Sequence, residues 1–213
     1  MPNVTVNDQE HEYRMDGQIV PSVTQVLEDM GLYYNPYALD KHRNRGTAVH
    51  DVTYLIDGKQ PWRGSTVDEI IENSLWDPST TDPILVPYGR AWAQFLLDEQ
   101  FHAEHAEEVV WSLRFRVCGR MDRHGLNGRR KVRQLVDIKS GMPGPSADLQ
   151  MGLYDVCAEE SKGIKTDERV VVWLKPDGTY HKPLMPRKNG LDKQLGLSAV
   201  TLWWWRKNNM LFA

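Results

Sequence analysis

The chain has 213 residues, 40% apolar and 26% charged, with a net charge of −3; this fits one domain with a core of its own and excludes a disordered tail. No apolar run reaches the roughly 20 residues that cross a bilayer, and the first residues lack the basic-then-apolar order of a signal peptide. The two cysteines, Cys118 and Cys157, cannot build a disulfide framework or a four-thiolate metal site, so the expectation is a soluble protein of a reducing cytoplasm with no membrane partner. Charge is uneven: residues 1–110 carry 7 Lys and Arg against 19 Asp and Glu, and residues 111–213 carry 19 against 10. That fits a basic half facing a polyanion, and equally two faces complementing each other inside one fold.

In chain order, residues 1–20 predict a short strand pair, with Val4, Val6, Tyr13 and Ile19 as its apolar content. A helix follows over 22–31, capped by Ser22, striped by Val23, Val26, Leu27 and Met30, and ended by Gly31. After a Tyr/Asn/Pro connector comes a helix from about Leu39 to Ile56. The stretch from Gln60 to Pro87 is rich in Pro and Gly and predicts loop around one short helix near Val67–Leu75. Residues 88–105 show helical spacing through Trp92, Phe95, Leu96 and Phe101.

The period then changes. Residues 107–122 alternate, with Val110, Phe115 and Val117, and predict two strands or one bent one. A further strand carries Val132, Leu135, Val136 and Ile138, then a helix spans Ser146 to Lys162, and RVVVWLK is the most strand-like run in the chain. The C-terminal stretch returns to helical spacing. This order predicts an α+β or α/β core with an N-terminal helical addition, in one domain over 1–213. Its mostly helical part covers 1–105, the catalytic sheet and helix 106–175, and a C-terminal hairpin and helix 176–213.

Chemistry concentrates at the end of LVDIKSG. In a strand, Asp137 and Lys139 share one side while Ile138 takes the other; alone, such a pair reads as ordinary surface charge. Asp122, on the preceding strand, adds a second carboxylate, and two on adjacent strands offer Mg²⁺ an oxygen-rich, partly open site. A tight turn at Asn127-Gly128 would pair Asp122 with Arg133, roughly 13 Å from Asp137. The expectation is therefore a wider connection, about Gly125–Arg130. His50 stands four residues after Gly46, on one helical face, where a glycine lets another element approach; a hydrogen-bonded structural histidine is the other reading. Gln150 and Tyr154 are likewise i, i+4 on one face, and helix packing explains Tyr154 but not Gln150.

The ordered set RGTAVH, a glutamate before the strands (Glu107, with Glu108 as the alternative), GRMD, VDIKSG and LQMGLY resembles the RecB-like branch of the PD-(D/E)xK nucleases. PSVTQVL also resembles the opening of phage-encoded members and of the mitochondrial genome-maintenance exonuclease. The resemblance spans about residues 20–175. It implies an α/β restriction-endonuclease-like core with a mixed central sheet flanked by helices, and a metal-dependent DNA exonuclease working from a free end in phage recombination, replication or DNA turnover. It makes His50, Asp122 and Asp137, with the Ile138 carbonyl, ligands for Mg²⁺, for which Mn²⁺ can substitute. It makes Lys139 the catalytic lysine, Glu107 a further acidic group, and Gln150 and Tyr154 supports of the site. Iron–sulfur members carry four cysteines, so no cluster is expected here. A structure-selective endonuclease and a non-cleaving recombination accessory are the alternatives, and a recombinase or single-strand-binding protein are candidate partners beside single-stranded or free-ended DNA.

Two weaker features bear on DNA. Arg120, Arg123, Arg129, Arg130, Lys131 and Arg133 surround the expected hairpin loop, as phosphate contacts or as a solvated run. Three tryptophans, Trp203–Trp205, point in three directions on a helix, so no more than two can be buried on one face. Trp204 is the one assigned to DNA, by stacking on unpaired bases.

Overall fold

The computed structural model describes residues 2–7, 10, 12–33, 40–58, 64–182, 184–185 and 190–211; the Tyr/Asn/Pro connector, Leu39, Gln60 and Pro61 lie outside them. A three-stranded antiparallel sheet opens the chain, β1 (Val4–Asn7), β2 (Glu12–Met15) and β3 (Gln18–Val20), one strand more than the sequence predicts. Met15 pairs with Gln18 across Asp16 and Gly17, both at positive φ, which is the two-residue hairpin geometry that Asp-Gly favours. Helix α1 (Val23–Asp29) is capped as expected: the Ser22 hydroxyl accepts from the Gln25 N–H, and Gly31 sits at φ +68 beyond its end.

Among the described residues three more α-helices precede the main sheet, α2 (Asp40–Asp57), α3 (Val67–Glu72) and α4 (Val86–Glu99), with a short 3-10 turn at Pro78–Thr80. Thr66 and Glu69 cap α3 reciprocally. On α2, Val49, Val52 and Ile56 recur at helical spacing and are buried with Trp92, Phe95 and Leu96 of α4. The same core takes in Val136, Ile138, Val170 and Val172 of the sheet, so these helices form one of its covering layers.

The sheet runs β4 (Phe101–Ser112), β5 (Val117–Asn127), β6 (Val132–Lys139), β7 (Glu168–Leu174) and β8 (Tyr180–His181), with β9 (Leu184–Met185) also on β7. All pairs are antiparallel except β6 and β7, which are parallel and joined through α5 (Ala147–Lys162). With α6 (Leu191–Asn208) and α1, α5 covers the other face over Leu135, Val171, Met151, Leu153, Val200 and Trp203. The fold is α/β, a mixed sheet flanked by helices, consistent with a restriction-endonuclease-like core. Among the described residues no helix is long and apolar enough to cross a membrane.

Two expectations are corrected. The helix expected over 88–105 ends at Glu99; Gln100 turns left-handed at φ +48 and the chain enters β4 at Phe101. Ala and Glu in HAEHAEE favour helix locally, but pairing along β5 overrides that preference. The β5–β6 connection is also not Gly125–Arg130. It is Gly128–Lys131, with Asn127 opposite Val132 and Arg123 opposite Val136. Widening a loop symmetrically about Asn127-Gly128 leaves the register unchanged. Moving the loop's centre two residues toward the C-terminus is what brings Asp122 level with Asp137.

Candidate active site

Register assembles the site. Pairs Ala106–Arg123 and Glu108–Met121 bracket Glu107 and set it opposite Asp122, while Arg123–Val136 sets Asp122 level with Asp137. Three carboxylates thus stand abreast on β4, β5 and β6. Glu107 holds a left-handed backbone, φ +51, which an L side chain adopts only when its surroundings enforce it. From α2, His50 reaches over the row: its Nδ1 is 3.2 Å from Glu107 Oε1 and 3.7 Å from Asp122 Oδ1. Donor atoms of His50, Glu107 and Asp122 all lie within 4.8 Å of one another, so this half-buried group could hold a metal ion.

The electrostatics suit a cation. Burial pulls the His50 imidazole down, yet the neighbouring Asp122 and Glu107 carboxylates outweigh it and push the pKa up to about 9. Burial pushes Asp122 up to about 6, and the nearby Asp137 and Glu107 carboxylates add to the rise. Glu107 is penalised by burial, but bonds and charge from His50 and Arg123 hold it below its ordinary value. A cation held by this group would have to displace the His50 proton, which would link metal uptake to proton release.

Asp137 faces a different partner. Lys139 Nζ sits 2.9 Å from both its carboxylate oxygens, which leaves Asp137 outside the three-residue group. Burial opposes the Lys139 charge, but Asp137 and Asp122 raise its pKa well above the usual value, so the ammonium is fixed. Lys139 also donates to Gln150 Oε1 at 3.3 Å, and Gln150 Nε2 donates to the Tyr154 hydroxyl at 3.3 Å. The i, i+4 pair on α5 therefore forms a relay behind the lysine, which supplies the role for Gln150 that helix packing did not. The edge of the Tyr154 ring packs close against β5 because residue 119 is glycine: a Cβ there would come 2.4 Å from the ring. Ile138 turns its side chain into the core and donates its N–H to Asp122 Oδ2 at 2.6 Å, locking that carboxylate's orientation.

A cleft of about 730 Å³ opens over His50 and Glu107, lined also by Tyr13, Gly46, Thr47, Tyr54 and Arg120. A Cβ at Gly46 would meet nothing within 4 Å, so this glycine leaves room in the cleft and does not seat another element. Glu107, not Glu108, belongs to the site; Glu108 bonds His105 at 2.8 Å and Lys162 at 2.6 Å.

The residues assigned to DNA separate. Arg120 lines the cleft. Arg123 does not: it is 0% exposed, bonded to Glu107 at 2.6 Å, to the Asp122 carbonyl at 2.7 Å, to Thr53 at 3.1 Å and to Asp57. It holds the site from beneath and cannot reach a phosphate. Arg129, Arg130 and Lys131 are exposed on the Gly128–Lys131 loop, but Arg130 is paired with Glu168, and the loop begins at least five residues along β6 from Asp137. At about 3.3 Å per residue that is roughly 16 Å away. Trp204 donates its indole N–H to the Phe115 and Arg116 carbonyls and lies under the Arg116 guanidinium. Trp203 is buried, and Trp205 is the outward one at 56% exposure.

The Arg123–Asp57 pair was missed at the sequence level. Its signal is present, since His50, Thr53 and Asp57 fall at i, i+3 and i+7 and form a polar stripe on a helix otherwise packed through Val49, Val52 and Ile56. No protein-family model matches the chain, and no curated protein matches it.

Proposed function

We propose that this protein is a metal-dependent deoxyribonuclease of the RecB-like PD-(D/E)xK kind, hydrolysing phosphodiester bonds from a free DNA end. One observation carries the reading: Glu107, Asp122 and Asp137 stand abreast on three adjacent strands, with His50 over the first two and Lys139 ion-paired to the third. His50, Glu107 and Asp122 would hold Mg²⁺ or Mn²⁺, and Asp137 and the Ile138 carbonyl would be the further oxygen donors beside them. The bound cation supplies charge against the non-bridging and leaving oxygens and lowers the pKa of its water. Lys139 orients the attacking water and offsets charge gathering on the phosphate. Gln150 and Tyr154 hold the Lys139 ammonium in place, and Arg120 contacts the backbone of the strand in the cleft. The free-end specificity comes from the family resemblance.

The test offers the protein end-labelled linear DNA and covalently closed single- and double-stranded circles, each with Mg²⁺, with Mn²⁺ and with chelator. The expected result is metal-dependent release of label from linear DNA with the circles intact. Cut circles make it an endonuclease, and a mobility shift without product in either metal makes it a binding protein.

A further inference from the structure

Given the deoxyribonuclease reading, on which this rests, we propose that a second cleft beside α1 is a nucleobase subsite, favouring bases that carry an exocyclic amino group. The cleft measures about 490 Å³ and joins the one over His50, since Tyr13 and Arg120 line both. Strand β6 pairs with β5 over Arg123–Asn127, and the cleft is bordered by Gly119 and Arg120, past that pairing. Arg120 and Asp122 stand two residues apart on β5, about 7 Å along the strand. That is the scale of one nucleotide, so a strand with a phosphate at Asp122 has a neighbouring base at the second cleft. Tyr154 lines this cleft too, which puts the end of the Lys139–Gln150 relay at its wall.

The lining fits a base better than a further phosphate. Among the described residues, the carboxylates of Glu10 and Glu28 border the cleft against one cation, Arg120, and phosphate is repelled where acid prevails. An ionised carboxylate only accepts hydrogen bonds, so the pair calls for donors. The amino group of cytosine or adenine supplies two N–H, whereas thymine presents carbonyl oxygens and a single ring N–H. Gln25 and Thr24 add an amide and a hydroxyl that can match the acceptor atoms beside that amino group. Tyr13 and Tyr154, 9% and 6% exposed, are fixed aromatic walls for the ring. The run PSVTQVL is divided accordingly. Val23, Val26 and Leu27 turn into the core, and Ser22 caps the helix through the Gln25 N–H. The Thr24 hydroxyl and the Gln25 side chain take no part in that cap and border the cleft.

Fluorescence anisotropy in chelator, on labelled single strands of about 10 nucleotides, reads the subsite without cleavage. Oligo(dC) should bind about tenfold more tightly than oligo(dT). Gln25→Ala with Glu28→Ala, both exposed on α1, should bring the ratio of the two affinities below about twofold, with an unchanged circular dichroism spectrum. Taking the ratio cancels the general gain in DNA affinity that losing a carboxylate brings. If the double variant loses its folded spectrum, Gln25→Ala alone provides the same readout. Equal affinities in the wild type, or tighter binding of oligo(dT), overturn the proposal, as does binding to neither strand. A preference that the variants retain overturns it too. The nuclease reading is judged separately, by product in Mg²⁺ or Mn²⁺. Discrimination without cleavage overturns that reading and leaves the base subsite, while cleavage without discrimination does the reverse.

Discussion

Asp122 and Glu107 meet His50 directly, and Asp137 meets Lys139, so single substitutions separate two roles. On the proposed function, Asp122→Ala and Glu107→Ala should each lower DNA cleavage by about 10³-fold or more, since each would remove a proposed cation ligand. Lys139→Ala should keep metal and DNA binding and lose kcat, because in the proposed reaction the ammonium acts as charge develops. Metal titration by calorimetry beside single-turnover rates checks both; unchanged metal affinity in Asp122→Ala would remove it from the ligand set. Arg123 makes the sharper case. Its guanidinium is buried against Asp57, whose own carboxyl is driven upward by burial, and against Glu107. Arg123→Met should therefore cost about 3–5 kcal/mol in urea unfolding, the cost of stranding a buried charge. A phosphate-contacting arginine would instead lose DNA affinity at unchanged stability. His50, Asp122, Asp137 and Lys139 were legible because their chemistry shows in motif order. Arg123 was not, because in sequence it is one of six basic residues around the loop, and its burial is decided by Asp57, 66 residues away.

Among the elements, strand register was the hidden variable. Motif order named the carboxylates, but only the offset loop Gly128–Lys131 sets them level, and no local rule fixes a four-residue loop over a two-residue Asn-Gly turn. The first part of strand β4, Phe101–Ala106, was hidden for the opposite reason, since its residues favour helix and its partner decides otherwise; the rest of the strand shows in the alternation from residue 107. The contact of α5 with β5 rests on Gly119, where a side chain would overlap Tyr154. Gly119→Ala should destabilise the fold by about 1–3 kcal/mol, as overpacking does, and lower turnover by moving Tyr154 off the Gln150 relay. Tyr154→Ala opens the space, so the double variant should recover most of the Gly119→Ala loss. Additive costs in that double-mutant cycle would place the strain elsewhere.

Across the whole molecule, the acidic first half and basic second half meet each other. Arg123 pairs with Asp57 and Glu107, Arg133 with Glu104, Lys162 with Glu108, and Lys182 with Glu99, each joining the two halves. Part of the asymmetry that suggested a polyanion is thus taken up by pairs between the two halves, and the exposed run Arg129–Lys131 lies at the far end of β6 from the carboxylates, with Arg130 already paired to Glu168. Each phosphate contact contributes about 0.7 to the slope of log affinity against log salt on a single strand. Replacing Arg129, Arg130 and Lys131 with glutamine should therefore leave that slope within about half a unit of wild type, whereas Arg120→Gln, in the cleft, should lower it by about 0.7. Fluorescence anisotropy of a labelled single strand in chelator, titrated across salt concentrations, measures both slopes without cleavage. A fall of roughly two units in the triple variant would mean that all three side chains reach phosphates, and would put the strand's path across the β5–β6 loop as well as the His50 cleft.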